Sequence, residues 1–459
     1  MSGRLIRSLA TTPALAWVFS DESVLRAMLE FEAALARAET RSGVIPVEAA
    51  DAITATASSG VFDISALADA AFRAGTPAIP LVKMLTDQVR KTNAEAARFV
   101  HWGATSQDVA DTAMSIVLRR AEPILTDDLM RLEKALANLS ETHKNSVMLG
   151  RTLLQPAPPA TFGLKAAGWL SAVRRGKKRL KNGFHRAAVL QFGGASGTLA
   201  SLGDRGIAVT EALNTELRFR NPAGAPWHTR RDELATLMCA CGVLTGSLGK
   251  MARDISLLMQ NEVGEAAELG GDGRGGSSTM PNKRNPTACS LTLATALRTP
   301  GSVSSFLTAM LQEHERGVGG WQAEWPIVAD IIQSTGVAIN SMAEVAEGLS
   351  VDTKRMRVNI ENTRGSIFAE RAMMSLGAKL GRDVAHRIVG AAVMRSSEEG
   401  RSLSDVLAEI PEVTAHLDPA ELKLETPEHY LGSAEVFRKA LIAESDSEDD
   451  WENDNDKER

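Results

Sequence analysis

The sequence predicts an all-α protein whose centre is a bundle of long helices. Aromatic residues make up only 4% of its 459 residues, and tyrosine occurs once. Sheet cores draw on aromatic and β-branched side chains, whereas the abundant alanine and leucine favour helices. Several helical patterns also run for about 20 to 39 residues with few breakers, and helices of that length need the extensive partners that a bundle supplies.

Short helices are predicted before residue 108. Apolar residues recur at helical spacing from Asp21 to Ser42, and Asp21 or Ser20 can cap the start of this helix. Glycines and prolines, which interrupt helices, separate the segments that follow. These segments are Val47–Thr56, Ile64–Ala74 and Leu81–Phe99, with breaks at Gly60, Gly75, Pro77 and Pro80.

Long helices are predicted between residues 160 and 355, and they are Phe162–Asn182, Arg230–Glu268, Thr287–Gln312 and Ile327–Leu349. Gly150–Pro159, with three prolines, is expected to be a loop, and the glycine-rich Gln191–Gly206 is expected to be a loop or a bent segment. No pattern predicts a strand pair. We therefore divide the chain into an N-terminal helical domain (1–107), a central long-helix bundle (108–355), a C-terminal helical domain (356–443) and a disordered acidic tail (444–459).

The charge distribution argues against nucleic-acid and membrane partners. The net charge is −6, but residues 444–459 hold nine acidic and two basic side chains, so the rest of the chain carries +1. Such a body has neither a basic field for nucleic acid nor a polybasic membrane patch. No signal-length apolar core is present, and no stretch approaches the roughly 20 apolar residues that span a bilayer. We expect a cytoplasmic protein.

Metal and disulfide chemistry have no support in the sequence. Cys239, Cys241 and Cys289 are too few for a disulfide framework and suit buried thiols in a reducing compartment. Cys239 and Cys241 are two residues apart on a predicted helix, so they point to different faces. No cluster of His, Cys, Asp and Glu has ligand spacing. We expect neither a metal nor a cofactor.

The most informative motif is the run GSSTMPNKRNP at residues 276–286. It places two hydroxyls (Ser277, Ser278), a cation (Lys283) and an amide (Asn285) within nine residues, after a glycine-rich stretch. A lysine and an amide can stabilise charge on a carboxylate while a serine alkoxide takes a proton from the adjacent carbon. A plain surface turn is the simple alternative, and the Gly-Lys-Ser/Thr spacing of a phosphate-binding loop is absent.

Further motifs accompany this run. They are HWGATSQD at 101–108, GRTLLQPA at 150–157, VLQFGGASG at 189–197, PWHTRRD at 226–232, QEHER at 312–316 and GWQAEW at 320–325. Together the motifs resemble the fumarase/aspartase superfamily, which includes argininosuccinate lyase, adenylosuccinate lyase and the bacterial 3-carboxymuconate cycloisomerases. The resemblance covers residues 5 to 441. It implies a homotetramer in which three subunits build each active site, and a small polycarboxylate substrate.

The resemblance also implies roles for individual residues. Thr105 and Ser106 would bind a substrate carboxylate at a helix N-terminus, together with His101, although Ser106 and Asp108 also suit a plain helix cap. Lys283 and Asn285 would hold carboxylate and stabilise an aci-carboxylate intermediate. Ser277 would carry the proton at carbon, with Ser278 as the neighbouring alternative. The remaining candidates for substrate binding are Arg151, Thr152, Gln155, His228, Arg231 and Met280.

Three of these motifs have structural alternatives. Arg151 could cap the carbonyls at a helix C-terminus instead of binding a carboxylate. His228 could be a structural, hydrogen-bonded histidine. In QEHER, Glu313, Glu315 and Arg316 could form ion pairs on a helix surface.

Position 153 narrows the reaction. The superfamily members that release an amine carry a histidine there as general acid, whereas this chain has Leu153, which transfers no proton. A carboxylate leaving group needs no proton, so the residue favours the cycloisomerase branch and reversible lactonisation of 3-carboxy-cis,cis-muconate. Asn282, where that branch carries histidine, leaves the exact substrate open.

Two rival functions remain. A lyase with another anionic leaving group, such as a nitrosuccinate lyase that releases nitrite, would equally tolerate Leu153. A non-catalytic protein on the lyase scaffold, like the lens crystallins of this superfamily, is the second rival. The intact Ser277, Lys283 and Asn285 argue against it.

Overall fold

The computed structural model of the chain describes residues 4–219, 224–270, 275–276, 279–280, 283–418 and 426–443. Ser277, Ser278, Asn282 and the predicted acidic tail at 444–459 lie outside the described residues.

The described residues are mainly helical, as predicted. The helices before residue 100 are α1 Arg4–Arg7, α2 Pro13–Val18, α3 Asp21–Arg41, α4 Val47–Ser59, α5 Ile64–Ala74 and α6 Ala78–Thr92. The central helices are α7 Ser106–Thr142, α8 Phe162–Ala187, α9 Gly206–Leu217, α10 Asp232–Leu258, α11 Thr287–Ala309 and α12 Gly320–Gly348. The later helices are α13 Thr353–Glu361, α14 Ala369–Leu380, α15 Arg382–Glu399, α16 Leu403–Ala408, α17 Pro411–Thr414 and α18 Ala434–Ala443.

Helix boundaries agree best with the sequence where a cap or a glycine marks them. Ser20 Oγ accepts a hydrogen bond from Ser23 N, and Asp21 and Glu22 in the first turn complement the helix dipole of α3. Helix α5 has the predicted bounds and ends at Gly75, whose φ of 70° is the left-handed conformation that glycine adopts without strain.

Two predicted helices are shorter in the structure. The segment predicted as Leu81–Phe99 is interrupted at Asn93, which is extended, and resumes as a 3₁₀ turn at Ala96–Phe99. The segment predicted to reach Glu268 ends at Leu258, because the chain turns through Gly264 at φ 63° and enters strand β3. This strand, Ala266–Ala267, pairs with β4, Ser350–Val351.

The expectation that no strand pair forms is wrong, and so is the loop predicted at Gly150–Pro159. Strands β1 Val147–Thr152 and β2 Gln155–Thr161 form an antiparallel hairpin with a bulge between Leu149 and Gly150. The two-residue connection has positive φ at both Leu153 and Leu154, which is the geometry of a tight hairpin turn. Prolines are tolerated because a two-stranded sheet has only edge strands.

The chain divides into two compact units, each built from three segments. The first unit comprises residues 1–130, 175–249 and 291–341, and the second comprises 131–174, 250–290 and 342–459. In the first unit α3 packs against α4 and α9, with Phe31 and Leu35 fully buried. In the second unit β1 packs against α13, and Phe368, Leu376 and Leu403 belong to its apolar core. The three-domain division drawn from helix length stays a prediction.

Helix α10 is long and apolar enough, by length and composition, to cross a membrane. Most of its apolar window is buried inside the protein, which is typical of a core helix. The search of the described residues found no second helix of this kind.

Candidate active site

The described part of the signature run is closed at its base by hydrogen bonds. Asn285 N donates to Gly275 O at 2.9 Å, and Asn285 Nδ2 donates to Gly276 O at 3.3 Å. Gly275 has φ 68°, and a Cβ at this position would lie 3.1 Å from Asn285 O. The base of the loop therefore requires glycine at position 275.

Glu268 anchors the chain on the other side of the signature run. Its carboxylate accepts from Cys289 N at 2.9 Å and from Ala288 N at 3.1 Å, in the first turn of α11. N–H groups in the first turn of a helix lie beyond the reach of the helix's own carbonyls, and the negative charge complements the positive end of the helix dipole. Lys283 and Asn285 thus precede a helix start that is held in place. The sequence interpretation did not single out Glu268.

Lys283 is exposed, and its ammonium forms no ion pair with any residue that the structure describes. Met280 is about half exposed, and its backbone oxygen accepts from Lys283 N at 3.1 Å. Lys283, which has no ion pair among the described residues, and the amide of Asn285 stand two positions apart in the chain, and such a pair suits an anionic ligand.

Arg151 lies on the hairpin and is held by a carboxylate. Its guanidinium donates to Glu265 at 2.6 and 2.9 Å, and the Glu265 side chain is fully buried. Asn359 Nδ2 also donates to Glu265, at 2.7 Å. The helix-carbonyl alternative is therefore wrong for Arg151, because its partner is a carboxylate, while a role in binding substrate stays a prediction. About a quarter of the Arg151 side chain stays exposed, beside a cavity of about 510 Å³.

The hairpin tip presents apolar side chains to solvent. Thr152 and Gln155 are cross-strand partners that flank the tip, and Leu153 and Leu154 form it. Leu153 is 97% exposed. Position 153, where an amine-releasing lyase would need a proton donor, is therefore exposed, and its leucine side chain cannot transfer a proton.

In the first unit the motif at 101–108 forms a turn and the start of α7. Asp108 caps the helix, because Thr105 N donates to its Oδ2 at 3.1 Å. The same carboxylate also accepts from Gly193 N, Gly194 N and His228 Nε2, at 3.0, 2.9 and 2.7 Å. The capping alternative is therefore confirmed for Asp108, which in addition joins three segments of the chain.

His101 sits in this turn at φ 61°, in the left-handed region that few residues other than glycine adopt. Its Nδ1 lies 2.7 Å from Oε1 of the buried Glu32 on α3. Burial alone would lower the pKa of His101, but the carboxylates of Glu32 and Asp108 raise it above its usual value. The imidazole is therefore biased toward its charged form.

Arg316 contacts a predicted site residue, although the sequence interpretation did not assign it to the site. The predicted surface pairing is wrong for this residue: it lies between α11 and α12, and its guanidinium donates to Thr105 Oγ1 at 2.7 Å and Ala195 O at 2.9 Å. Its Nε is buried without an acceptor, and no carboxylate of the described chain pairs with it. An unbalanced positive charge thus adjoins the Thr105 hydroxyl, and an anion would satisfy it.

Arg231 is buried between two carboxylates. It donates to Asp111 at 2.9 Å, to Glu324 Oε2 through Nε at 2.9 Å, and again to Glu324 through Nη2. Burial raises the pKa of Glu324 to about 7, and Asp111 adds to this effect against the opposing attraction of Arg231. Trp321 Nε1 donates to Asp111 as well, at 3.0 Å. Only 3% of the Arg231 surface is exposed and its guanidinium is engaged by the two carboxylates, while a role in binding substrate stays a prediction.

His228 is likewise buried, with 4% of its surface exposed. A carboxylate only accepts hydrogen bonds, so the contact with Asp108 places a proton on His228 Nε2. The structural interpretation of His228 thus has direct support, while a role in binding substrate stays a prediction.

The predicted site residues fall into two groups. The first unit carries His101, Thr105, Ser106, His228 and Arg231. The second unit carries Arg151, Thr152, Gln155, Met280, Lys283 and Asn285. Ser277 and Ser278 lie outside the described residues, so the predicted proton carrier has no geometry here. A search of the described side chains found no group of His, Cys, Asp and Glu that could hold a metal ion.

Comparison with known proteins places this architecture among the lyases. The lyase family model matches residues 7–301, and a model described as adenylosuccinate lyase C-terminus matches residues 365–440. The chain is 46% identical to 3-carboxy-cis,cis-muconate cycloisomerase of Bradyrhizobium diazoefficiens, over 95% of this chain and 97% of that protein. It is 41% identical to nitrosuccinate lyase of Streptomyces davaonensis, over 94% of this chain and 93% of that protein.

A solved structure shares the whole fold. The 3-carboxy-cis,cis-muconate lactonizing enzyme from Pseudomonas putida matches with a TM-score of 0.89 and 43% sequence identity, over 96% of this chain and 99% of that chain.

Proposed function

This chain belongs to the lyase family of the fumarase/aspartase superfamily, and on that premise we propose that it interconverts 3-carboxy-cis,cis-muconate and 4-carboxymuconolactone. The observation that carries the proposal is Leu153. It occupies an exposed hairpin tip, where an amine-releasing lyase would need a proton donor. The similarity to cycloisomerases and to a lactonizing enzyme, each over more than nine-tenths of the chain, supports it.

The reaction moves one proton and no leaving-group amine. In ring closure, a substrate carboxylate oxygen adds to the conjugated double bond, and negative charge passes to a second carboxylate as an aci-carboxylate. Ser277 then gives a proton to carbon, and in ring opening its alkoxide takes the proton back. Lys283 and Asn285 stabilise the charge that develops in between. Thus the carbon–oxygen bond is made or broken without an acid at position 153.

The binding of the other carboxylates is assigned to the start of α7. Thr105 and Ser106 offer hydroxyls near a helix N-terminus, and Arg316 adds an uncompensated guanidinium that touches Thr105 Oγ1. His101 supplies a second cation. Arg231 and His228 keep these groups in place through Asp111 and Asp108. Arg151 takes the same kind of role on the hairpin through Glu265.

We also propose that the protein acts in the cytoplasm as a homotetramer, because the superfamily builds each active site from three subunits. Sedimentation of the purified protein tests the assembly. A monomer with full activity would contradict it.

The experiment that tests the function is an ultraviolet assay with 3-carboxy-cis,cis-muconate. Wild-type protein should remove the conjugated-diene absorbance, and Ser277→Ala should fold but lose at least about 1000-fold in rate, as expected when a proton carrier is removed. Equal rates for the two proteins would refute Ser277 as the proton carrier. No turnover by wild-type protein would refute the cycloisomerase.

A second function has support from the relative of Streptomyces davaonensis, a nitrosuccinate lyase. Release of nitrite, an anionic leaving group, would also tolerate Leu153. Incubation with nitrosuccinate and measurement of nitrite separates the two. Nitrite release with no effect on the diene would replace the cycloisomerase proposal, and failure of both assays would favour a non-catalytic protein.

A further inference from the structure

We infer that Glu32 is a positioning residue for the reaction, which acts through His101 by fixing its tautomer and its charge. The role of Glu32 in catalysis rests on the proposed function, whereas the geometry of the Glu32–His101 contact does not depend on it. Glu32 is 1% exposed on α3, and its Oε1 lies 2.7 Å from His101 Nδ1. The two residues are 69 positions apart in the chain, so packing of the turn against α3 creates the pair.

The contact decides which nitrogen of His101 faces a ligand. A carboxylate accepts hydrogen bonds only, so the proton on Nδ1 is held by Glu32. The structure gives Nε2 no hydrogen-bond partner within the part of the chain that it describes. About 16% of the side chain is exposed. Nε2 is therefore the ring atom that remains for a substrate carboxylate.

The negative charge of Glu32 also affects the protonation of His101. The groups that face His101 are Glu32 on α3 and Asp108 on α7, and both are carboxylates that favour the imidazolium form. An imidazolium presents an Nε2–H donor with a full positive charge, and charge-assisted hydrogen bonds to carboxylate are about twice as strong as neutral ones. Without the Glu32 charge, the buried ring would lose its proton at lower pH.

The same helix provides a matched control. Glu39 follows Glu32 by seven residues on α3, is fully buried, and neither of its carboxyl oxygens has a hydrogen-bond partner in the described chain. Burial, with repulsion from Glu32, raises its pKa to about 9, so Glu39 is uncharged at neutral pH. Replacing Glu39 by glutamine therefore preserves both its volume and its charge, whereas Glu32→Gln removes a charge and leaves an oxygen that can still accept from Nδ1.

The test compares Glu32→Gln, Glu39→Gln, His101→Asn and the double variant Glu32→Gln/His101→Asn. The first readout is the titration of His101, followed by NMR with ¹³C-labelled histidine and assigned by the loss of its signal in His101→Asn. The second is the affinity for tricarballylate, a saturated tricarboxylate probe. The third is the KM and kcat for 3-carboxy-cis,cis-muconate across pH 6 to 9. In Glu32→Gln we expect the His101 transition to move to lower pH. The KM and the tricarballylate Kd should rise about tenfold at neutral pH, the effect of weakening a charge-assisted hydrogen bond, with kcat within about twofold. At pH 6 to 8, where Glu39 keeps its proton, Glu39→Gln should match wild type in every readout.

The double variant distinguishes a positioning role of Glu32 from a nonspecific structural effect of its replacement. If Glu32 acts through His101, adding Glu32→Gln to His101→Asn changes KM by less than about twofold. An unchanged His101 titration in a folded Glu32→Gln protein, or fully additive losses in the double variant, would overturn the inference. If wild-type protein does not consume 3-carboxymuconate, the proposed function fails, while the NMR titration and tricarballylate affinity still decide the role of Glu32.

Discussion

Arg316 donates a hydrogen bond of 2.7 Å to the hydroxyl of Thr105, although 211 positions separate the two residues in the chain. The contact joins the segment between α11 and α12 to the N-terminus of α7, where a substrate carboxylate is expected to bind. Because Arg316 has no carboxylate partner in the described chain, its charge is available to an anion.

Replacement of Arg316 tests this charge. We expect Arg316→Met to lower kcat/KM for 3-carboxy-cis,cis-muconate about 100-fold, the effect of losing charge-assisted hydrogen bonds of about 2–3 kcal/mol. Arg230→Met is the matched control, since Arg230 is exposed and, among the described residues, donates only to the carbonyls of Ala225 and Pro226. Steady-state kinetics of both variants provide the measurement, and similar effects of the two would contradict a site role for Arg316.

We expect replacement of Glu268 to lower both the stability and the activity of the protein. Glu268→Ala removes both acceptors from the start of α11 and should destabilise the protein by about 1–2 kcal/mol in urea unfolding. It should also lower kcat/KM, because Lys283 and Asn285 immediately precede this helix. Asp352→Ala serves as the control. Asp352 is the N-cap of α13, and its Oδ1 accepts from Arg355 N at 2.8 Å. That variant should lose similar stability and keep its activity; a parallel loss of activity would contradict the anchoring role of Glu268.

Arg151 is expected to matter for stability as well as for activity. In Arg151→Met the fully buried Glu265 loses its ion pair, which typically costs about 3–5 kcal/mol. The double variant Arg151→Met/Glu265→Gln should recover a large part of that loss, because no buried charge then remains unpaired. Urea unfolding of wild type, both single variants and the double variant measures the coupling. An Arg151→Met protein as stable as wild type would show that the arginine serves the ligand alone.

Glu39 should make stability depend on pH. Its pKa is raised to about 9 in the folded protein, so the folded chain keeps a proton that the unfolded chain releases above the ordinary carboxyl value. This contribution to stability is complete at low pH and is lost as pH rises toward 9, by up to about 1.4 kcal/mol per pH unit. Glu39→Gln removes the effect, so its stability relative to wild type should grow with pH. Parallel stability curves from pH 5 to 9 would show that the carboxyl is not protonated.

Local signals account for what the sequence predicted well. Helix α5 has its predicted bounds because Asp63 and Gly75 mark its two ends with side-chain and backbone chemistry. The hairpin was missed because its turn consists of Leu153 and Leu154, residues that rarely adopt positive φ, and because cross-strand hydrogen bonds leave no periodic pattern in so short a segment.

The amino-acid sequence by itself determined the helical class, the family and the identity of the chemical groups, since periodicity, caps and motifs are properties of neighbouring residues. Only the tertiary structure decided which charged groups are paired. Glu265 holds Arg151, Glu32 holds His101, and Asp111 with Glu324 encloses Arg231. Arg316 lies beside Thr105 and has no carboxylate partner among the residues that the structure describes. Such partners come from distant parts of the chain, so local sequence patterns do not reveal them. Because an unpaired charge is costly in a buried, weakly polar environment, the pairing determines which charged groups are left to bind a substrate.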